Sequence, residues 1–103
     1  MLNFFNKTEF FQKWLDDLKD QKVRARLLLR ITAAENGNFG DCGSVGDGVS
    51  EMRLHFGPGF RIYFAQEGKN LYLLLVGGDK DSQERDIRCA KEMWNNLKKV
   101  GST

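Results

Sequence analysis

Hydrophobic residues recur along this chain with two different periods, and the change of period divides it into elements. Between residues 49 and 79, three apolar runs are separated by two turn signals, Gly57-Pro58-Gly59 and Gly68-Lys69-Asn70. Proline lacks an amide donor and glycine tolerates positive φ, so neither corner continues a regular element. Both connections are short, which predicts three neighbouring antiparallel strands in a meander. In the first run Met52, Leu54 and Phe56 alternate with Glu51, Arg53 and His55. In the second, Phe60, Ile62 and Phe64 alternate with Arg61, Tyr63 and Ala65. Strand side chains point alternately to opposite faces, so each of these strands has one apolar and one polar face. The third run, residues 71–76, is apolar at every position and reads as a strand in the middle of a sheet.

Elsewhere the period is helical. Thr8 reads as an N-cap, followed by Phe11, Trp14, Leu15 and Leu18 at helical spacing. After a break at residues 20–22, Val23, Leu27, Ile31 and Ala34 mark a second helix reaching about Glu35. So short a connection predicts an antiparallel helical hairpin. Residues 36–48 contain five glycines and read as loop, tied to the core by Phe39 and Val45. A last helix is predicted from about Ser82 to Lys99, with Asp81 and Glu84 at capping-box spacing. Its stripe is Ile87, Ala90, Met93, Trp94 and Leu97, and Gly101 ends it. Residues 2–6 suit an edge strand. The fold class is therefore α+β, a small two-layer fold. A twisted antiparallel sheet, the meander plus the N-terminal strand, packs with the helical hairpin and the C-terminal helix. One core is expected, holding Trp14, Leu27, Ile31, Leu54, Ile62, Leu73 and Trp94.

Composition narrows the function classes. A length of 103 residues predicts a single domain, 1–103, large enough to fold without disulfides. Cys42 and Cys89 match no metal-ligand spacing, and a lone histidine removes most zinc sites. Two free thiols point to a reducing cytoplasm, with a disulfide left open. No apolar run is long enough for a signal peptide or a bilayer span, so no membrane role is expected. Net charge is only +2, so any affinity for nucleic acid must come from local clustering of the 16 Lys and Arg. Gly43-x-x-Gly46-x-Gly48 is followed by no Gly-Lys-Ser/Thr and opens no helix, which excludes a nucleotide-cradling loop.

The polar face of the meander holds two arginines, the single histidine and a tyrosine. A solvated surface is the ordinary reading; a functional face is the other. Arg53 and Arg61, on neighbouring strands, can converge on one phosphate, because guanidinium groups are planar, always charged and bidentate. His55 can act as acid or base near neutral pH. Glu51 could act as base if its surroundings held its proton more tightly. Tyr63 can stack on a base or donate to a phosphate. Lys80, where the sheet meets the last helix, is within reach of the same face. Arg24, Arg26 and Arg30 on the second helix are solvated, border a polyanion site or bind an acidic partner segment. Together these groups suit cleavage of RNA without a metal or cofactor. The substrate's own 2′-hydroxyl attacks its phosphate, while the protein orients the backbone, neutralises charge and moves protons.

Ser50-Glu51-Met52-Arg53, Gly57-Pro58-Gly59-Phe60-Arg61-Ile62-Tyr63-Phe64 and Gly77-Gly78-Asp79-Lys80-Asp81-Ser82-Gln83 also carry a resemblance. They resemble the phage-derived, HigB-like killer proteins of the RelE/ParE toxin superfamily. The likeness runs from about Thr8 to Leu97 and includes Phe39-Gly40-Asp41. It implies the toxin of a bacterial type II toxin–antitoxin module, whose ribonuclease members cut messenger RNA on the ribosome. It also implies a cognate helix-turn-helix, HigA-like antitoxin through which operator DNA is contacted. Phosphate binding carries over to Arg53 and Arg61. RNA contact extends by expectation to Tyr63, Arg24 and Arg30, and catalysis is expected of Arg53, Arg61, His55 and Lys80. The chain departs from RelE-type enzymes in having Glu51, Arg53 and His55 where lysines are frequent, and in having no tyrosine in its last helix. The superfamily also contains gyrase poisons, so a toxin that binds a protein target and a non-catalytic co-repressor remain as alternatives.

Overall fold

Thr8 joins the first strand to the first helix and shows how the N-terminus is built. Its hydroxyl accepts from the Phe11 amide at 3.0 Å, capping the helix, and donates to the Leu75 carbonyl of a central strand at 2.9 Å. In the computed structural model, which describes residues 2–101, the elements run as follows. Strand β1 (Phe4–Lys7) leads to helices α1 (Glu9–Asp17) and α2 (Gln21–Glu35), then to strands β2 (Cys42–Gly46), β3 (Val49–Leu54), β4 (Phe60–Gly68) and β5 (Leu71–Gly78), and finally to helix α3 (Gln83–Gly101). Asp20 caps α2, accepting from the amides of Lys22 and Val23. The five strands form one sheet in the order β1-β5-β4-β3-β2. All neighbours are antiparallel except β1, which lies parallel to β5.

The α+β class, the meander, the edge strand at the N-terminus and the three helices are as the sequence implies. Residues 36–48, read as loop, contain β2, an edge strand paired with β3. The chain doubles back at Gly46-Asp47-Gly48, where all three residues have positive φ, a conformation glycine adopts freely. The first meander strand stops at Leu54, so His55 and Phe56 lie beyond the sheet. Asp81 does not cap α3; Asp79 Oδ1 accepts from the amides of Asp81 and Ser82, and Ser82 Oγ bonds Asp86 at 2.5 Å.

The expected single core divides in two, because helices cover both faces of the sheet. On one face α1 and α2 bury Phe11, Leu15, Leu27 and Ile31 against Met52, Leu54, Ile62, Phe64 and Leu74. On the other, α3 places Ala90, Met93 and Trp94 against Val49, Tyr63, Ala65, Leu75 and Val76. Leu73 and Trp94 thus belong to the second core, and Ile62 is fully buried in the first. Leu75 and Val76 both reach the second core because the β4–β5 register shifts between Tyr63 and Phe64. Coverage of both faces is the reason that β5 is apolar throughout. Phe39 and Val45 anchor their segment as expected, one in each core. Phe39 does so within an aromatic group, 5.6 Å from Phe64 and 5.4 Å from Tyr72 between ring centroids.

Gly77 and Gly78 end β5. A side chain at Gly77 would collide with the Trp14 indole of α1, and one at Gly78 with Asp86 and Ser82 at the start of α3. No helix among the described residues is long and apolar enough to cross a membrane.

Candidate functional site

The register of β3 and β4 sets Glu51 opposite Tyr63 and Arg53 opposite Arg61, all on the face that α3 covers. This face is expected to be exposed; at Glu51, Tyr63 and Arg61 it is buried. Glu51 is 1% exposed, Tyr63 0% and Arg61 8%. The physical reason is the second helical layer, which turns a polar strand face into a buried polar network. Glu51 is its centre. Its Oε1 accepts from Arg53 Nε at 2.9 Å, and its Oε2 from the Tyr63 hydroxyl at 2.9 Å and Gln83 Nε2 at 2.8 Å. Burying a carboxylate is costly unless it is paired and hydrogen-bonded, and here both conditions are met. Glu51 is therefore a strut under the site and has no access to a substrate. The Tyr63 hydroxyl is held protonated by burial and by its bond to Glu51, with its pKa far above the ordinary tyrosine value. Tyr63 is sealed in the second core and offers neither a stacking face nor an acid.

Arg61 lies at the edge of this network. Its Nη1 donates to the carbonyls of Gly59 and Phe60 at 3.1 and 3.2 Å. Its buried Nε has no hydrogen-bond partner and stands 4.0 Å from Glu51 Oε2. Arg53 is more exposed and more fully paired, between Glu51 and Asp41. Asp41 Oδ1 accepts from Arg53 Nη1 at 3.0 Å, and Asp41 Oδ2 lies 2.6 Å from His55 Nε2. The His55 bond first, and the Arg53 bond second, hold the Asp41 carboxyl below the usual aspartate range. Asp41 in turn raises the Arg53 guanidinium further.

His55, Arg61 and Lys80 meet around one open cleft of about 560 Å³, with Asp81 on its rim and Gly57-Pro58-Gly59 as its wall. Gly57 and Gly59 both have positive φ, which lets the wall bend tightly past Arg61 and Lys80. Of the residues singled out in the sequence, these three share the cleft. Arg53 stands behind it, directly across from Arg61. Arg24 and Arg30 do not line it. Arg24 Nη1 bonds the Leu18 carbonyl at 2.6 Å and ties the α1–α2 corner. Arg30 gives Nε, Nη1 and Nη2 to the carbonyls of Phe39, Arg53 and Asp41, clamping the segment before β2.

Sequence reasoning missed Asp41 and Gln83 as partners in this network. Both sit inside the segments that carry the resemblance, the signal that could have found them. Arg26, read in the sequence with Arg24 and Arg30 as solvated or bordering a polyanion site, has its guanidinium 3.7 Å from the centre of the Phe56 ring, beside His55.

No protein-family model matches the chain. An uncharacterized protein of Haemophilus influenzae is 43% identical over 87 residues, which is 84% of this chain and 88% of that protein. Among solved structures, a double arginine-to-alanine mutant of the E. coli toxin RelE in the free state has a TM-score of 0.63 at 17% identity. That match covers 89% of this chain and 98% of the RelE chain. The chain belongs to the family of the Haemophilus influenzae protein, and its fold is the RelE fold.

Proposed function

We propose that the chain is the toxin of a bacterial type II toxin–antitoxin module, of the HigB-like kind, and acts as an endoribonuclease on messenger RNA at the ribosome. The observation that carries this reading is the convergence of Arg61, Lys80 and His55 on one cleft in a fold shared with a toxin. Arg61 takes the scissile phosphate: its guanidinium is pinned by two backbone carbonyls, and it lines the cleft. Lys80 adds a second, solvent-facing charge. The 2′-hydroxyl oxygen bonds to phosphorus and gives its proton to His55. The P–O5′ bond breaks, and the leaving oxygen takes a proton from the Lys80 ammonium. The products are a 2′,3′-cyclic phosphate and a 5′-hydroxyl end, with no protein nucleophile and no metal in the scheme. The partner that restrains it is a HigA-like helix-turn-helix antitoxin in the cytoplasm, with operator DNA reached only through that partner.

The test is to incubate the purified chain with ribosomes translating a defined message and to map the new RNA ends. Cuts within translated codons, ending in cyclic phosphate, are expected, and growth arrest on expression should be relieved by the neighbouring antitoxin. Intact message together with a DNA-damage response would move the reading to a gyrase poison.

A further inference from the structure

Asp41 is exposed, yet its position is fixed from three directions. Its backbone carbonyl accepts from Arg30 Nη2 at 2.8 Å and from the Arg53 amide at 2.9 Å. Its Oδ1 is taken by Arg53 Nη1. That leaves Oδ2 with one neighbour, His55 Nε2, at 2.6 Å. An ionised carboxylate can only accept, so in the neutral ring the proton must sit on Nε2. His55 Nδ1 then carries the lone pair, and it makes no hydrogen bond among the described residues. The His55 side chain is 67% exposed and faces the cleft shared with Arg61 and Lys80. The charged groups around the ring are Arg26 and Arg30 on the α2 side and Arg61, Lys80 and Asp81 on the cleft side. Asp41 is the one in contact.

We infer that Asp41 is the positioning residue for His55, fixing the tautomer in which Nδ1 is the base. The inference rests on the nuclease reading for its catalytic use. In the step proposed above, the 2′-hydroxyl proton passes to Nδ1, and the resulting imidazolium is balanced by the Asp41 carboxylate, which stays ionised. Arg53 then has a positioning role in place of the expected phosphate contact: by holding Oδ1 it keeps Oδ2 aimed at the ring.

The chain has one histidine, so nitrogen-15 NMR of the full-length protein reads this ring without ambiguity. At a pH where the imidazole is neutral, the parent should show the Nε2–H tautomer. In Asp41→Asn, Arg53 still claims the side-chain oxygen, so the amide group faces Nε2 and drives the ring to Nδ1–H. Messenger RNA cleavage by that variant should lose on the order of 100-fold or more in kcat with KM nearly unchanged, and Asp41→Glu should recover part of it. An Nδ1–H ring in the parent, or an Asp41→Asn protein with unchanged tautomer and kcat, overturns the inference. A parent with the Nε2–H ring that cuts no RNA overturns the nuclease reading and with it the catalytic use of Asp41.

Discussion

Arg53 and Arg61 are direct cross-strand partners on β3 and β4, and their guanidinium groups are in opposite situations. Arg53 is shared between two carboxylates, Glu51 and Asp41. Arg61 donates Nη1 to two backbone carbonyls, and its buried Nε, 4.0 Å from Glu51, has no hydrogen-bond partner. On the nuclease reading, Arg61, which lines the cleft, is the arginine assigned to the phosphate. Arg61→Ala should lower kcat for message cleavage by on the order of 100-fold or more. Lysine at 61 should restore only part, since it keeps the charge and loses the bidentate geometry. Burial also makes Arg61 structural, so the alanine protein should lose about 1–3 kcal/mol by urea denaturation. Activity measured well below its melting point separates the two effects.

Removing Glu51 leaves three donors without their acceptor. Glu51→Ala should cost about 3–5 kcal/mol, the usual penalty for breaking a buried charged pair. Glu51→Gln keeps the shape and should cost less. Chemical denaturation of both proteins checks the order; an alanine protein as stable as the parent would show that the network is dispensable.

Tyr63→Phe separates structure from catalysis. The hydroxyl is bonded to Glu51 and cannot reach the cleft, so kcat should stay as in the parent while stability falls by about 1.5–3 kcal/mol. The parent should also weaken in alkali. The folded state keeps the Tyr63 proton, whereas the unfolded chain releases it near the ordinary tyrosine value of 10.0. The unfolded state then binds fewer protons, so stability is intact below about pH 10 and declines as pH rises beyond it. The phenylalanine protein should lack that part of the decline in a melting-temperature series.

The acid limb should depend on Asp41. Its folded pKa lies below the ordinary aspartate value of 3.8, so its contribution is present above that value and is lost as pH falls through the lower folded value. Asp41→Asn should flatten the melting-temperature profile below about pH 4. An unchanged acid limb would show that the Asp41–His55 pair adds no pH-dependent stability.

Two arginines of α2 should behave differently. Arg30→Ala frees the carbonyls of Phe39, Asp41 and Arg53, so it should reduce kcat by displacing Asp41 without touching RNA. Arg24→Ala removes one bond at the α1–α2 corner, with a cost of about 1 kcal/mol and no change in kcat. Equal kinetic losses in the two proteins would indicate that α2 as a whole contacts the substrate.

The elements were legible because Met52-to-Phe56 alternation and the Leu27, Ile31, Ala34 stripe are statements about burial, and burial follows period. β2 was hidden because Cys42-Gly43-Ser44-Val45-Gly46 has little strand propensity; its ladder is made by backbone groups that leave no trace in side-chain pattern. The exposure of the polar face was misread for a related reason. Alternation shows that Glu51, Arg53, Arg61 and Tyr63 share a side, but it does not reveal whether a helix lies over them. Ala90 and Trp94, which cover that side, read equally well as the lining of a single core. The cleft residues His55, Arg61 and Lys80 were named from residue chemistry. The Asp41 bond to His55 joins residues on either side of the β2–β3 hairpin, and no spacing rule reaches that far.

At Gly77 and Gly78 the sheet is only one peptide thick. Along Leu73–Val76 side chains fill both faces of β5, but here Trp14 rests on one side of the backbone and Ser82 and Asp86 on the other. Neither layer can shift at this end without moving the peptide that the other touches. That same peptide runs straight on into Asp79 and Lys80. The height of the cleft's lysine is thus set jointly by α1 and α3, and a methyl group added at either glycine would alter the site from behind without replacing any residue in it.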